Sequence, residues 1–265
     1  MEFHTSVVIE KPTFHIEPME EILLVGSCFA DHIGQRFVED KFKATVNPFG
    51  VMYNPASILH TIQRTECAPR VAFLTLGTNH VYRLKATGEI VDNCEKRPQS
   101  LFQEEELSIE ECEDYLHRAI QLLKERNPQV QVVLTVSPIR YRKYGFHGSQ
   151  LSKATLLLAA HQLTKLECVS YFPAYEIMND ELRDYRFYAS DMLHPSEQAV
   201  DFIWECLATH YFSDATKQFL KEWHPLKQAL SHKPFHPDSE EYRAFMDKTM
   251  SKIEDLKRKY STFEL

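Results

Sequence analysis

Short apolar runs alternate with amphipathic helical patterns over the first two hundred residues, and no other feature of the sequence restricts the fold as strongly. Buried strands are predicted at 22–25, 71–77, 130–138 and 167–172. Between them, apolar residues recur at the three- and four-residue spacing of helices. Strands that alternate with helices form a mostly parallel sheet covered on both faces. We therefore predict an α/β domain over residues 1–212.

Local signals predict where several elements begin. Asn54 followed by Pro55 is typical of a helix N-cap and the first helical residue. Ser108 with Glu111 three residues later predicts a capping box before another helix. Further elements are predicted as a hairpin over 81–93 that turns at Thr87–Gly88, a helix over 150–165 and a helix that opens at Pro195.

Beyond Ser213 the pattern changes to helices alone. A short helix is predicted at 214–223, a connector at 224–238 and a long amphipathic helix after it. We expect residues 213–265 to form a helical extension without a site. Its apolar stripe would pack on the core or on a second subunit, as in a homodimer.

Composition and charge exclude several classes of function. The net charge of −8 over 265 residues argues against a general binder of nucleic acid. The six cysteines are far apart and nothing near Met1 is typical of a signal peptide, so we expect a reduced, cytoplasmic protein. No apolar run approaches the roughly 20 residues that span a bilayer, so no membrane insertion is expected.

No cofactor is expected either. The 13 histidines are scattered and show no spacing typical of zinc ligands. The sequence contains no P-loop and no G-x-G-x-x-G motif, so a nucleotide cofactor is not implied. Glycine is scarce at 7 residues, so we expect Gly26, Gly50 and Gly77 to lie where backbone freedom is needed.

Polar residues follow the predicted strands, and ligands bind at the carboxyl ends of such strands. Ser27 follows the first strand, and Asn79 and His80 follow the second. Asp191 and His194 stand close together just before a predicted helix. At one edge of a sheet, these residues would supply a nucleophile, a base and hydrogen-bond donors.

Each residue type suits a role in acyl transfer. Ser27 is a weak nucleophile unless a base such as His194 takes its proton, and Asp191 can orient that imidazole. The developing oxyanion needs hydrogen-bond donors. The backbone N–H groups of Ser27 and Gly50 and the side-chain amide of Asn79 are the candidates.

Two motifs resemble a known family. The stretch GSCFA at 26–30 is similar to the signature of the GSCFA-domain branch of the SGNH hydrolase superfamily. YFPAYEIMNDELRDYRFYASDMLHPS at 171–196 resembles the long terminal motif of that branch. The resemblance spans roughly residues 5 to 250. It implies a flavodoxin-like α/β/α hydrolase, and the superfamily contains esterases, thioesterases and carbohydrate deacetylases.

The resemblance also implies roles for particular residues. Ser27 would be the nucleophile, Asp191 and His194 would complete a catalytic triad, and Gly50 and Asn79 would donate to the oxyanion. Two departures from the superfamily pattern stand out. The usual G-D-S block has no aspartate here, because Gly26 stands directly before Ser27. The usual G-x-N-D block has His80 in place of aspartate, and this second departure bears on substrate preference.

Other interpretations of these residues stay open. Ser27 can serve as the N-cap of the helix that follows it. Cys28 lies on the first helical turn, where the helix dipole favours a thiolate, although a buried structural cysteine is the more common case. Segment 139–148 concentrates aromatic and basic residues, as expected of a lid over a sugar or an anionic group, or of a solvated loop.

The sequence thus predicts a serine hydrolase that cleaves an acyl ester through an acyl-Ser27 intermediate. The substrate expected is a small-molecule or carbohydrate ester, with an O-acyl carbohydrate in first place. Two alternatives are a non-catalytic module that binds an acylated or sugar ligand, and a thiol hydrolase that uses Cys28.

Overall fold

In the computed structural model, residues 5–92, 94, 97–260 and 262–265 are described, and they contain eight strands and eight helices. The strands are β1 (Glu21–Gly26), β2 (Lys43–Val46), β3 (Val71–Leu76), β4 (His80–Leu84), β5 (Ile90–Val91), β6 (Phe102–Glu106), β7 (Gln131–Val136) and β8 (Val169–Tyr171). The helices are α1 (Cys28–Glu39), α2 (Pro55–Arg64), α3 (Ile109–Arg126), α4 (Gly145–Leu163), α5 (Ala174–Glu176), α6 (Glu197–Tyr211), α7 (Asp214–Ser231) and α8 (Glu240–Lys259).

Five parallel strands form the central sheet in the order β2-β1-β3-β7-β8. All six residues of β3 are buried, as expected of a central strand covered by helices on both faces. A second, antiparallel sheet has the order β5-β4-β6. Its β4–β5 pair confirms the predicted hairpin, and Gly88 in the turn has a φ of 74°. Asn93, at the end of that prediction, lies outside the described residues.

Alternate residues of β1 face two different hydrophobic clusters. Ile22 and Leu24 belong to the cluster that contains side chains of α1, α6, α7 and α8. Leu23 and Val25 belong to the cluster beneath α2, α3 and α4. Helices therefore cover both faces of the sheet, which confirms the predicted three-layer α/β/α fold.

Side-chain caps confirm the predicted starts of two helices. The Asn54 side chain accepts a 2.9 Å hydrogen bond from the N–H of Ser57 at the start of α2. Ser108 and Glu111 form both hydrogen bonds of the capping box at the start of α3. None of the helices in the described part of the chain has the length and apolar character that crossing a membrane requires.

Several element boundaries differ from the prediction. Helix α4 already begins at Gly145 and not at 150, and α6 begins at Glu197 because Ser196, not Pro195, caps it. Helix α7 continues through Pro225 to Ser231, where a connector was predicted. Trp223 and Leu226 are buried on either side of this proline, so tertiary packing outweighs its cost to the helix.

Helix α7 lies against the end of α1. The Trp223 indole donates a 3.0 Å hydrogen bond to the Glu39 carbonyl. Lys227 Nζ lies 3.1 Å from the buried carboxylate of Asp40, and His224 Nε2 lies 3.2 Å from it. These contacts place α7 on the same layer as α1 and α6, on the face of the sheet opposite α2, α3 and α4.

Candidate active site

Two glycines hold the first and third strands close to the loop that follows β2. Gly26 has a φ of 150°, and a Cβ atom there would lie 2.2 Å from the carbonyl oxygen of Thr75. Its N–H donates a 2.8 Å hydrogen bond to the Asn47 side chain. The N–H of Gly77 donates to the carbonyl of Tyr53 at 2.9 Å, and a Cβ there would lie 2.8 Å from that oxygen. A side chain at Gly26 would push β1 away from β3, and one at Gly77 would push the loop away from the end of β3.

A cavity of about 520 Å³ opens at this edge of the sheet. Its walls come from the start of α1, the loop after β2, the residues that follow β3 and β5, strand β4, the segment 139–144 after β7, and the turn before α6. The predicted site residues that line it are His80 and His194, together with Cys28. Ligands were expected at this position because the carboxyl ends of the parallel strands converge there.

Asp191 and His194 are directly hydrogen-bonded. Asp191 Oδ2 lies 2.5 Å from His194 Nδ1, and Oδ1 accepts from the N–H groups of Leu193 and His194 at 2.9 and 3.0 Å. The bond to the imidazole and these two backbone bonds hold the pKa of Asp191 at about 2. The carboxylate is therefore ionised at neutral pH, and it fixes the ring so that Nε2 is the nitrogen left for a proton transfer.

Ser27 occupies a structural position at the start of α1. Its side chain is only 1% exposed, and Oγ accepts a 3.3 Å hydrogen bond from the N–H of Phe29 as the N-cap of α1. Its own N–H donates to the carbonyl of Thr75 at 3.3 Å. Among the described residues, Ser27 does not line the cavity. The assignment of Ser27 as nucleophile therefore stays a prediction.

Cys28, the next residue, lines the cavity that His194 also lines. Its thiol is partly exposed, and Sγ lies 3.6 Å from the hydroxyl of Tyr53. Burial raises the pKa of Tyr53 to about 12, with a smaller contribution from Cys28, so this hydroxyl stays protonated. As the first residue of α1, Cys28 has a backbone N–H without a partner inside the helix.

Besides the N–H of Ser27, the two other predicted oxyanion donors are also hydrogen-bonded within the protein. The N–H of Gly50 donates to the Asn47 carbonyl at 2.8 Å within a turn. The side-chain amide of Asn79 donates to the carbonyl of Leu107 at 2.8 Å. Neither residue is among the described residues that line the cavity. Their assignment to an oxyanion hole stays a prediction. The single N–H of Gly50 would have to leave the turn, whereas the Asn79 amide has a second donor hydrogen.

His80 lies in the cavity wall as a buried ring. It stacks on Tyr144 with centroids 3.5 Å apart, and its two nitrogens lie 3.9 Å from Glu104 and from Glu106. Burial lowers the pKa of His80, and the two carboxylates oppose this in part. A neutral His80 can donate one hydrogen bond and accept another, and its role in substrate binding stays a prediction.

Sequence reasoning missed the aromatic lining of the cavity. Tyr53, Tyr82 and Tyr141 contribute to it from three different segments. No local pattern around Tyr53 or Tyr82 indicates this, because only the fold brings the segments together. Segment 139–148 was singled out for its aromatic and basic residues, and Tyr141 belongs to it.

A larger surface depression of about 950 Å³ lies elsewhere, between residues 5–7 and 180–187. Its charged residues pair with one another, as Arg183 does with Asp180 and Arg186 with Asp184. It contains none of the predicted site residues. The predicted site residues therefore indicate that the smaller cavity, at the edge of the sheet, is the candidate active site.

Several solved structures share the fold at low sequence identity. An acetyl-xylooligosaccharide esterase from Geobacillus aligns with a TM-score of 0.51 at 12% identity, over 74% of this chain and 96% of that chain. A member of the lipolytic protein G-D-S-L family from Veillonella parvula has a TM-score of 0.47 at 14% identity, over 71% and 96%. A carbohydrate esterase family 3 protein from Talaromyces cellulolyticus has a TM-score of 0.42 at 12% identity, over 72% and 95%. The first of these likenesses supports the SGNH-type fold.

Comparison at the level of sequence is more specific. No curated protein sequence matches the chain significantly. The sequence model of the GSCFA family, however, matches residues 21–69 and 68–207. A further model, for the C-terminal domain of GSCFA domain proteins, matches residues 223–265. Because these matches include both the strand-to-helix turn and the Asp191–His194 segment, the chain belongs to the GSCFA family.

Proposed function

We propose that this protein hydrolyses an acyl ester, with His194 as general base and Asp191 as the residue that orients it. The observation that carries the proposal is the 2.5 Å contact between Asp191 Oδ2 and His194 Nδ1 at the wall of a cavity that also contains a nucleophile. An ionised carboxylate behind an imidazole is the arrangement that lets the other ring nitrogen take a proton from a hydroxyl or a thiol.

The geometry favours the thiol of Cys28 as the nucleophile over the hydroxyl of Ser27. Cys28 shares the cavity with His194, whereas Ser27 is buried and caps α1. For Ser27 to act, its side chain would have to leave the N–H of Phe29 and turn towards the cavity. A thiol is also the stronger nucleophile near neutral pH.

The reaction would proceed in two steps through an acyl-enzyme. His194 Nε2 takes the thiol proton, the sulfur attacks the acyl carbon, and the alcohol leaves with that proton to give a thioester on Cys28. Water then attacks the thioester while His194 takes a proton from it, the bond between the acyl carbon and the Cys28 sulfur breaks, and the acid leaves as the sulfur takes the proton back from His194. The backbone N–H of Cys28 and the hydroxyl of Tyr53 are the donors best placed for the oxyanion.

An O-acyl carbohydrate is the substrate we favour. The tyrosine rings that line the cavity offer flat apolar surfaces for the face of a sugar ring. The esterase of similar fold from Geobacillus acts on an acetylated xylooligosaccharide, which is compatible with this choice. Hydrolysis of p-nitrophenyl acetate and of acetylated sugars would test the ester part and the carbohydrate part separately.

The nucleophile can be identified by covalent labelling. We expect iodoacetamide to alkylate Cys28 faster than Cys206, whose pKa burial raises to about 11, and turnover of p-nitrophenyl acetate to be lost in Cys28→Ala. Cys206→Ala is the matched control and should keep its turnover. Asp191→Asn should lower kcat by a factor on the order of 10² to 10⁴, because the base loses its orientation.

The opposite pattern would support the serine mechanism. A fluorophosphonate adduct on Ser27, with turnover lost in Ser27→Ala and kept in Cys28→Ala, would refute the thiol. Folded wild-type protein that takes up neither probe and hydrolyses no ester, but gains thermal stability from an acetylated sugar, would indicate a binding module instead.

A further inference from the structure

Arg140 lies beside the proposed catalytic pair and is tied to its segment. Its backbone N–H donates to the carbonyl of Leu193 at 3.0 Å, and its Nη1 donates to the carbonyl of Met192 at 3.1 Å. The side chain lines the cavity and also an adjoining depression of about 270 Å³. Arg140 therefore stands at the border between the space next to His194 and a second space open to solvent.

Three aromatic rings surround the guanidinium group. Its central carbon lies 4.1 Å from the ring centroid of Phe146, 5.4 Å from that of Tyr188 and 5.6 Å from that of Tyr185. Phe146 is 50% exposed and Tyr185 is 66% exposed, so these two rings present much of their surface to solvent. The rings orient the guanidinium group through cation–π contacts and leave apolar surface exposed beside its charge.

The charge of Arg140 has no carboxylate partner among the described residues. Two neighbouring cations differ in this respect, since Lys143 pairs with Glu104 at 2.7 Å and Arg183 pairs with Asp180 at 3.3 Å. Arg142 also lacks a carboxylate partner among the described residues, so Arg140 is distinguished from it by the three aromatic rings and the contacts to Met192 and Leu193. Among the described residues that line the cavity, Asp92 carries the one carboxylate, and it pairs with Arg64 at 2.9 Å. Of the five donor hydrogens of a guanidinium group, one hydrogen bond to a carbonyl leaves most available.

We propose that the substrate carries an anionic group, a carboxylate or a phosphate, on its alcohol part and that Arg140 binds this group. The planar fork of arginine matches the oxygens of either anion. The exposed rings of Phe146 and Tyr185 then contact the part of the alcohol next to the charge. This inference rests on the proposed ester hydrolysis and adds the class of alcohol that the site selects.

A matched set of aryl esters tests the proposal. The probes are 4-acetoxybenzoate, 4-acetoxyphenyl phosphate and the neutral methyl 4-acetoxybenzoate, which share the acetyl ester and the ring. We expect wild-type kcat/KM to favour at least one anionic ester over the neutral one by roughly tenfold or more, mainly through KM. The two anionic esters distinguish a site for carboxylate from one for phosphate.

Variants test whether Arg140 is the residue that causes the preference for an anionic ester. In Arg140→Gln, the ratio of kcat/KM between the preferred anionic ester and the neutral ester should fall by about tenfold. Arg142→Gln makes the same change of charge at an exposed residue of the same wall, and its ratio should fall clearly less. If Arg140→Gln slows all three esters equally, the residue merely supports the Met192–Leu193 segment and the proposal is wrong.

Binding measured without turnover separates this proposal from the proposed reaction. Calorimetry with 4-acetamidobenzoate and phenyl phosphate should show binding to wild type that weakens about tenfold in Arg140→Gln. That result without hydrolysis of any ester would refute ester hydrolysis and keep the anion site. Hydrolysis without a preference for either anionic ester, and without binding of either analogue, would refute the anion site and keep the reaction.

Discussion

Lys153 is a buried cation beneath the candidate site, and its replacement by methionine gives a quantitative test. The side chain is 1% exposed, and Nζ donates to the carbonyls of Gly77 at 2.7 Å and Ser137 at 2.8 Å. These carbonyls lie just beyond β3 and β7, where the chain leaves the sheet to form the cavity walls. Lys153→Met keeps most of the volume but removes the donor and the charge.

The expected loss of stability depends on pH. Burial lowers the pKa of Lys153 from 10.5 to about 7. Between these two values the unfolded chain holds a proton that the native protein lacks, so wild-type stability rises with pH by about 1.4 kcal/mol per unit. From pH 6 to pH 9 the gain is about 3 kcal/mol, because the slope vanishes below pH 7. The variant lacks this contribution.

At pH 9 the wild-type amine of Lys153 is neutral. The two proteins then differ mainly in whether the carbonyls of Gly77 and Ser137 accept hydrogen bonds from this side chain. Leaving two buried carbonyls without partners should cost about 2 to 6 kcal/mol. At pH 6 the difference in the free energy of unfolding between wild type and variant should be smaller by about 3 kcal/mol. The reason is that wild-type Lys153 then carries a buried charge, which destabilises the native protein.

Urea unfolding at pH 6, 7.5 and 9, followed by tryptophan fluorescence, measures this difference. Lys165→Met, at an exposed lysine just past the end of α4, is the control and should show a difference that does not change with pH. A constant difference between wild type and Lys153→Met would refute the reasoning. It would mean that the two carbonyls keep Lys153 protonated throughout this range.

Two further substitutions test the supports of the fold. Gly26→Ala should lower the free energy of unfolding by roughly 3 kcal/mol or more, because φ is 150° and the new Cβ would lie 2.2 Å from the Thr75 oxygen. Urea unfolding measures this loss, and a loss below about 1 kcal/mol would contradict the close approach. Lys227→Met should lower the free energy of unfolding by about 1 to 3 kcal/mol, since it removes a 3.1 Å hydrogen bond from the buried carboxylate of Asp40. An unchanged thermal unfolding temperature would show that the hydrogen bond from His224 is enough for Asp40.

Much of the architecture was predictable because it rests on local patterns. The apolar runs of β1, β3 and β7 and the caps at Asn54 and Ser108 were all recognised, and together they imply the three layers. The edge strand β2 was missed, since its four residues alternate between half-buried and exposed positions and carry no apolar run. Strand β6 was missed because it contains three consecutive glutamates, and its pairing with β4 is a tertiary contact.

The continuation of α7 through Pro225 has a similar cause. Proline lacks the N–H of a helix interior, so local rules end the helix before it. Burial of Trp223 and Leu226 against the layer that contains α1 supplies the compensating energy, and no nearby residue in the sequence indicates that contact.

For the site, the sequence by itself determined which residue types gather at the carboxyl edge of the sheet and that Asp191 can reach His194, since both stand within one short turn. Only the tertiary structure decided which side chain of the Ser27–Cys28 pair faces the cavity. At a helix start the N-cap side chain folds back onto the first turn, whereas the next residue points elsewhere. Cys28 lines a cavity only because the fold brings Tyr53 and His194 to the same place from distant parts of the chain.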